Sequence, residues 1–201
     1  MRNVVAFGAH PDDLEVGAGG LLARLARAGD SVTMVVCSIP NRFEQRLAEA
    51  RAGAAALGVQ LELLDGHGIS RLEDLPMHAL VARFDQLFDT LAPELVITHN
   101  ASDLHWDHTL VHRATLAAAR RSRCDLLAYA ASPALGANAR PIGTCFADIT
   151  STIDVKLAAI AAHASQFTTA SVEGRRDIAR AIGQLTGVRY AEAFEPLRVF
   201  I

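Results

Sequence analysis

Cysteine is scarce in this 201-residue sequence, and the three cysteines that occur, Cys37, Cys124 and Cys145, form no C-x-x-C pair. This usage excludes a disulfide framework and is typical of thiols in a reducing compartment. Long apolar runs are also missing, so no segment has the length needed to span a bilayer. The first residues enter a strand-like pattern without the basic flank and cleavage site of a signal peptide. We therefore expect a soluble, cytoplasmic protein.

An excess of charge of one sign is lacking as well. Lysine and arginine together number 19 and aspartate and glutamate 22, which gives a formal net charge of -3. This balance offers no general electrostatic basis for binding nucleic acid or an anionic membrane. Hydrophobic residues make up 51% of the chain and charged residues 20%, as in ordered globular proteins. No linker or internal repeat divides the sequence, and its length suits one domain, residues 1–201.

The motifs of several common enzyme classes are absent or incomplete. Neither a Walker sequence nor a G-x-S-x-G elbow occurs, which argues against nucleotide hydrolases and serine hydrolases. The "GAGG" run at 17–20 does not complete G-x-G-x-x-G, because residue 22 is leucine, and it indicates close helix-to-sheet packing. His108 and His112 have the spacing of a zincin helix without its glutamate, so we interpret His112 as a structural or supporting residue.

What the sequence does contain is a regular alternation of short apolar runs and longer segments with helical periodicity. The predicted strands cover residues 3–7, 31–37, 60–64, 94–98 and 125–130. The predicted helices between them cover residues 19–28, 43–57, 75–91 and about 107–121. This order predicts an α/β fold with a Rossmann-like, doubly wound and mostly parallel sheet that has helices on both faces.

The C-terminal part is less regular. The glycine- and proline-containing segment 131–144 is interpreted as a loop. A further strand is expected at 145–149, followed by helices near 152–165 and 173–185.

Two unusual polar clusters follow the first and fourth predicted strands: "AHPDD" at 9–13 and "HNASDLHWDHTLVH" at 99–112. In the strand order 3-2-1-4-5 these two strands are neighbours, and the crevice at their carboxyl ends is the usual ligand site. Two adjacent carboxylates repel each other and are costly to bury without a positive partner. A bound cation would supply that partner.

The residue types of the two clusters suit a metal site. Imidazole and carboxylate groups are ligands that zinc accepts, and a catalytic zinc needs three protein ligands. The candidates are His10, Asp12, Asp13, His105, Asp107 and His108. In the alternative interpretation, Asp12 or Asp13 caps the following helix and the histidines make ordinary hydrogen bonds. We favour the metal site because both clusters fall at one switch point. His67, His78 and His99 are interpreted as surface or locally hydrogen-bonding residues.

The motifs "AHPDD" and "HWDH" resemble those of the LmbE-like, or PIG-L, family of zinc-dependent N-deacetylases. The resemblance continues in "RLAEARAGAAALG" (46–58), "KLAAIAAHASQF" (156–167) and "YAEAF" (190–194), so that it covers nearly the whole chain. We expect "HASQ" and "YAEAF" to be structural, and support of the pocket is the alternative. Trp106 departs from the residue that the family often carries there, which indicates an altered pocket rim, and residues 131–144 match poorly.

The resemblance implies a role for each candidate. It makes His10, Asp13 and His108 the ligands of zinc or of another divalent cation such as Fe²⁺. It further implies the following roles: Asp12 as general base, His105 beside the developing oxyanion, Asp107 as the group that orients His105, Arg46 as a substrate contact, and Asp65 in "LLDG" as a partner of sugar hydroxyls. For the last two, a solvated helix-face arginine and a turn-forming aspartate are the alternatives.

The function implied by the resemblance is zinc-dependent removal of an N-acetyl group from an N-acetylglucosamine-type conjugate, releasing acetate and a free amine. The alternatives are a non-catalytic sugar- or metal-binding module on the same fold and a hydrolase that acts on a different amide. Two-metal phosphoester cleavage would need more bridging carboxylates than the sequence offers. The expected partner is a small amino-sugar conjugate, and a homo-oligomer is expected because family members are often oligomeric.

Overall fold

Strands that are apolar at successive positions form the centre of the fold, which the computed structural model describes for residues 1–66, 71–129 and 144–201. In these residues the strands are β1 (Asn3–Gly8), β2 (Ser31–Val36), β3 (Gln60–Leu63), β4 (Leu95–His99), β5 (Asp125–Tyr129), β6 (Cys145–Asp148) and β7 (Ala191–Arg198). The α-helices are α1 (Asp13–Arg27), α2 (Phe43–Leu57), α3 (Met77–Leu91), α4 (Trp106–Ala119), α5 (Ile153–Ala161) and α6 (Thr169–Thr186). Two short 3₁₀ helices cover Leu64–Gly66 and Leu72–Asp74.

The sheet has the strand order β3-β2-β1-β4-β5-β7-β6. The first five strands are parallel, and this part confirms the predicted order 3-2-1-4-5. Strand β7 runs antiparallel to both of its neighbours, β5 and β6. No strand is predicted from the sequence at "YAEAF", whose last four residues begin β7. The predicted loop at 131–144 lies outside the described residues except for Thr144.

Helices cover both faces of the sheet, as predicted. Helices α1, α2, α5 and α6 contribute to one apolar cluster, in which Val4 and Ala6 represent β1. Helices α3 and α4 contribute to a second cluster, in which Val5 and Phe7 represent the same strand. This alternation along β1 follows from side chains that point to opposite faces at successive strand positions. Among the described residues, no helix is both long and apolar enough to cross a membrane.

Helix α1 begins at Asp13, six residues before its predicted start, because the glycines of "GAGG" weaken the helical signal in the sequence. The same glycines allow the helix to approach the sheet closely. A Cβ atom on Gly17 would lie 2.0 Å from Cδ2 of Tyr129, and one on Gly20 would lie 2.7 Å from Cγ2 of Ile149. These distances confirm the predicted role of "GAGG" in helix-to-sheet packing.

A buried ion pair joins the C-terminal segments to α1. The Lys156 ammonium lies 2.6 Å from the Glu192 carboxylate and donates a hydrogen bond to the Val16 carbonyl at 2.7 Å. The Glu192 carboxylate in turn accepts hydrogen bonds from the backbone N–H groups of Gly20 and Leu21, both at 2.8 Å. Side chains from "KLAA" and "YAEAF" thus take part in the hydrogen bonding of the α1 backbone, which agrees with the structural role expected for "YAEAF".

Replacing Lys156 by methionine should strongly destabilise the fold, because it leaves the Glu192 carboxylate buried without its positive partner. We expect Lys156→Met to lower the free energy of unfolding by about 3–5 kcal/mol. Urea unfolding followed by circular dichroism measures the change. The control is Arg120→Gln, which breaks the more exposed Arg120–Asp85 pair and should cost at most about 1 kcal/mol. Equal losses in both variants would contradict the prediction.

Candidate active site

The two polar clusters meet at the carboxyl ends of β1 and β4, as the strand order predicts. The residue that follows β1, Ala9, donates its backbone N–H to Nε2 of His99, the last residue of β4, at 2.9 Å. Across the same junction, Nε2 of His10 lies 2.9 Å from the Asp107 carboxylate. The first turn of α1 and the first turn of α4 therefore face each other with their histidines and carboxylates in contact.

The Asp13 carboxylate lies at the centre of this cluster and is buried. One oxygen accepts a hydrogen bond from the backbone N–H of His10 at 2.8 Å and lies 3.3 Å from Nε2 of His99. The other lies 3.3 Å from Nε2 of His108. Burial acts to raise the pKa of Asp13, but His99 and His108 outweigh it and hold that pKa well below its usual value. Asp13 is therefore an ionised acceptor that suits a cation.

Each of the two predicted histidine ligands has a carboxylate on the ring nitrogen that faces away from Asp13. In His10, Nε2 contacts Asp107, and Nδ1 lies 3.7 Å from Asp13. In His108, Nδ1 lies 2.9 Å from the Asp103 carboxylate and Nε2 faces Asp13. Metal-ligating histidines usually direct their second nitrogen to such a carboxylate. The carboxylate contacts of His10 and His108 are therefore of the kind that metal-ligating histidines make.

The pKa of His108 bears on how a cation would bind. Burial opposes protonation of its ring, but the contacts with Asp103 and Asp13 prevail and raise the pKa of His108 to about 10. A cation must then displace a proton to reach Nε2. Asp103 was not assigned a role from the sequence, although it lies inside the second cluster, and the structure identifies it as the partner of His108.

Ligand atoms lie within 4.8 Å of one another in two overlapping groups among the described residues. One group consists of His10, His105 and His108, and the other of Asp13, His99 and His108. The predicted set takes His10 from the first group and Asp13 from the second, and His108 belongs to both groups. The two remaining histidines already use one nitrogen each, since Nε2 of His99 and Nδ1 of His105 accept backbone hydrogen bonds. His10 and His108 likewise use one nitrogen each, on Asp107 and Asp103, so the ligand set of His10, Asp13 and His108 stays a prediction.

The structure corrects the interpretation of His99 as a surface or local residue. Its ring is fully buried, stacks on His108 at a centroid distance of 3.9 Å and lies 3.1 Å from the Tyr129 hydroxyl. His112 is structural, as expected, because it is buried and its Nδ1 lies 2.7 Å from the His99 carbonyl. His78 is exposed, as expected, and His67 lies outside the described residues.

Asp12 has different partners from Asp13. Its backbone is left-handed, with φ 93°, and its side chain makes no capping hydrogen bond to α1. The carboxylate instead lies 3.3 Å from Nη2 of Arg46. Burial and the charge of Asp13 raise the pKa of Asp12 to about 7, with Arg46 acting in the opposite direction. The structure therefore gives no support to a capping role for Asp12. The two neighbouring carboxylates differ in their partners, since Asp12 contacts Arg46 whereas Asp13 contacts histidines.

Arg46 is buried on α2, so the alternative of a solvated helix-face arginine is wrong. Its Nη2 donates hydrogen bonds to the Pro11 carbonyl at 2.9 Å and to the Asp12 carboxylate at 3.3 Å. Arg46 therefore fixes both the backbone and the side chain at the end of "AHPDD". A direct contact between Arg46 and substrate stays a prediction.

The structure also revises how His105 is held. The Asp107 carboxylate, predicted to orient His105, contacts His10 instead, because the first turn of α4 directs it toward the β1 side. His105 is oriented by the backbone, since its Nδ1 accepts the Asp107 N–H at 3.2 Å. The neutral ring therefore carries its proton on Nε2. Partial desolvation and the neighbouring His10 and His108 lower the pKa of His105, which favours this neutral form.

Asp65 lies apart from these contacts. It occupies the 3₁₀ turn after β3 with a left-handed φ of 61°, and among the described residues its side chain pairs with Arg83. This geometry agrees with the turn-forming alternative. Its contact with sugar hydroxyls stays a prediction.

Comparisons with known proteins agree with this architecture. The family model described as GlcNAc-PI de-N-acetylase, PIG-L, matches residues 5–119. The uncharacterized deacetylase YaiS of Escherichia coli K12 is 30% identical over 132 residues, which is 59% of this chain and 69% of YaiS. The 1D-myo-inositol 2-acetamido-2-deoxy-alpha-D-glucopyranoside deacetylase of Corynebacterium diphtheriae is 27% identical over 66% of this chain and 59% of its own length.

Two solved structures show the same fold over the full length of this chain. The conserved protein TT1542 from Thermus thermophilus has a TM-score of 0.82 and 27% identity, and the match covers 98% of it. The 4-carboxy-2-hydroxymuconate hydratase GalB from Pseudomonas putida KT2440 has a TM-score of 0.84 and 22% identity, also with 98% coverage. A protein named as a hydratase therefore has the same fold as this chain.

Metal analysis can test the proposed ligand set. After dialysis against Zn²⁺ and removal of the excess, the protein should hold about one ion per chain. Alanine at His10, Asp13 or His108 should lower this occupancy, because each change removes one of three ligands. His105→Ala should retain the metal, and so should His78→Ala, the exposed control.

The two overlapping groups predict different outcomes in the same measurement. A loss of metal in His105→Ala as large as in His108→Ala would assign the ion to the group of three histidines. A comparable loss in His99→Gln, with circular dichroism unchanged, would assign it to the group of Asp13, His99 and His108.

Proposed function

The chain belongs to the PIG-L family of de-N-acetylases, and from this membership we propose that it is a zinc-dependent hydrolase that removes the N-acetyl group of an N-acetylglucosamine-type conjugate. The products are acetate and a free amine. The deacetylase activity carried by the names of its relatives supports the reaction type, and the donor set of the site supports a divalent cation. Fe²⁺ is the alternative to zinc, since both accept imidazole and carboxylate ligands.

The observation that carries this proposal is the separation of the two carboxylates of "AHPDD". Asp13 is ionised and surrounded by imidazoles, which suits a cation ligand. Asp12 lies outside that set and is held by Arg46 from the neighbouring helix. A site that only bound a metal or a sugar would not need a second, partly buried carboxylate in this position. Its pKa of about 7 suits a general base at neutral pH.

We propose that His10, Asp13 and His108 hold the metal, with Asp107 and Asp103 fixing the two imidazoles. When bound, the metal supplies Lewis acidity, which polarises the amide carbonyl and makes water more acidic. The Asp107–His10 and Asp103–His108 contacts orient the rings before any metal binds. Such preorganised ligands raise metal affinity because fewer side-chain rotamers must be restricted on binding.

The remaining residues account for the movement of protons. Hydrolysis forms a bond between the amide carbon and a water oxygen and breaks the bond from that carbon to nitrogen. The Asp12 carboxylate accepts a proton from the attacking water. His105 donates from Nε2 to the oxyanion that develops on the amide oxygen. The leaving nitrogen then takes a proton from Asp12 or His105 and departs as the amine.

The substrate-binding roles of Arg46 and Asp65 form part of the same proposal. So do three features expected from the sequence, which are a single domain over residues 1–201, a cytoplasmic location and a homo-oligomeric state. The location rests on the three cysteines, Cys37, Cys124 and Cys145, which are free thiols in the structure. We propose a small amino-sugar conjugate as the partner.

Removing the proposed base should abolish most of the turnover while leaving the metal in place. Asp12→Asn keeps the shape of the side chain and removes its proton-accepting charge. Acetate release from N-acetylglucosamine conjugates should fall by about a hundred- to ten-thousand-fold. The assay compares enzymes with equal measured zinc content. Asp89→Asn, an exposed change on α3, is the matched control and should keep wild-type turnover.

Two results would count against the proposal. Undiminished acetate release by zinc-loaded Asp12→Asn would show that another group is the base. Absence of acetate release by the zinc-loaded wild type from every conjugate, with sugar binding retained, would favour the non-catalytic binding module.

A further inference from the structure

Arg175 on α6 is an arginine whose charge is not neutralised within the described part of the chain. It is half-buried and takes part in none of the ion pairs found among the described residues. Its neighbour is the ring of Phe167, whose centroid lies 5.8 Å from the guanidinium carbon. The next arginines on this helix differ, because Arg176 pairs with Asp154 and Glu173 and Arg180 pairs with Asp177. Arg175 therefore has donors available that its neighbours on α6 have already used.

A guanidinium that has no ion pair keeps its donors available to an anionic ligand, which gains charge-assisted hydrogen bonds there. Partial desolvation lowers the pKa of Arg175, and the charge of Asp12 acts in the opposite direction.

A series of contacts connects Arg175 to the candidate active site. The backbone N–H of Phe167, beneath the guanidinium, donates to the His163 carbonyl at 3.0 Å. Nε2 of His163 lies 2.9 Å from the Glu15 carboxylate, and both side chains are fully buried. Glu15 belongs to the first turn of α1, which begins directly after Asp12. The corner between α5 and α6 is therefore packed against the turn that carries the proposed base.

Arg175 does not serve as the counter-ion of Asp12. That carboxylate already has Arg46 at 3.3 Å, and no ion pair joins it to Arg175. The contacts through Phe167, His163 and Glu15 nevertheless place Arg175 at the corner that packs against the turn after Asp12. This places a cation with free donors near the proposed reaction centre.

We propose that Arg175, stacked beside Phe167, binds an anionic group of the amino-sugar conjugate, a carboxylate or a phosphate, and thereby determines substrate specificity. This inference rests on the proposed deacetylase function. The planar guanidinium matches both anions with two parallel hydrogen bonds. The aromatic ring restricts the orientation of the guanidinium through a cation–π contact, so that less side-chain freedom is lost on binding.

The test compares a neutral substrate with two anionic ones. Acetate release is measured with the methyl glycoside of N-acetylglucosamine, with its carboxymethyl glycoside and with N-acetylglucosamine 6-phosphate. The wild type should prefer at least one of the anionic substrates in kcat/KM, mainly through a lower KM. The two anionic arms distinguish a carboxylate at the anomeric side from a phosphate at the opposite end of the sugar.

The variants isolate Arg175. In Arg175→Gln the ratio of kcat/KM for the preferred anionic substrate to that for the neutral one should fall about ten- to a hundred-fold, as expected for a charge-assisted hydrogen bond. Arg175→Lys should recover part of the ratio, because it restores the charge without the planar fork. Arg180→Gln, which removes an exposed arginine of the same helix, should keep the wild-type ratio. High salt should reduce the preference of the wild type.

The inference is overturned if Arg175→Gln leaves the ratio of kcat/KM for anionic and neutral substrates unchanged. This includes the case in which all rates fall equally, because an equal loss would mean that Arg175 acts on Asp12 and not on the anionic group. A wild type without preference for either anionic substrate also overturns it.

If no substrate releases acetate, the proposed function fails, and the inference is then tested by measuring the affinity for the same sugars. Quenching of Trp106, the single tryptophan, then reports affinity. Tighter binding of an anionic sugar by wild type than by Arg175→Gln supports the inference, and equal affinities overturn it.

Discussion

The burial of the Asp13 carboxylate is the constraint on which the arrangement of the site depends. An ionised carboxylate is stable in such a position only if donors or cations surround it. Asp13 obtains them from the backbone N–H of His10 after β1 and from the ring of His108 in α4, while the ring of His99 at the end of β4 lies 3.3 Å away. The pairing of β1 with β4 therefore does more than complete the sheet, because it brings the partners of Asp13 to one point.

The C-terminal segments support this point from the opposite side. Lys156 and Glu192 bond the backbone in the middle of α1, and His163 contacts Glu15 in its first turn. The helix that carries Asp13 is consequently fixed along its length by groups that are far away in the sequence. This support gives "KLAAIAAHASQF" and "YAEAF" a role in the site, although neither motif contains a proposed catalytic residue. The antiparallel strand β7 contributes in the same way, because its Glu192 accepts hydrogen bonds from the α1 backbone.

The sequence was sufficient to predict the parallel order of five strands and the meeting of the two polar clusters, because both follow from the βα alternation and the position of each cluster at a strand end. It could not predict the individual partners. Asp107 contacts His10 rather than His105, and Asp103 rather than a carboxylate of "AHPDD" faces Nδ1 of His108. These pairings depend on the rotation of α4 and on side-chain rotamers, which leave no periodic signal. Burial was also underestimated for single polar residues such as His99, since a histidine at the end of a strand can face solvent or the interior.

Fold and chemistry separate clearly in this protein. A hydratase shares the architecture with a TM-score of 0.84, so the sheet and its switch point do not by themselves specify hydrolysis. In the mechanism that we propose, the reaction depends instead on groups that the fold merely presents: the position of Asp12 outside the proposed metal ligands, its contact with Arg46, and the free Nε2 of His105. Substrate choice would depend on two further residues, Trp106, which is exposed beside His105, and Arg175, which stacks on Phe167 and has no ion pair among the described residues. Because these two residues lie on α4 and α6 and take no part in the contacts around Asp13, they can change without disturbing those contacts.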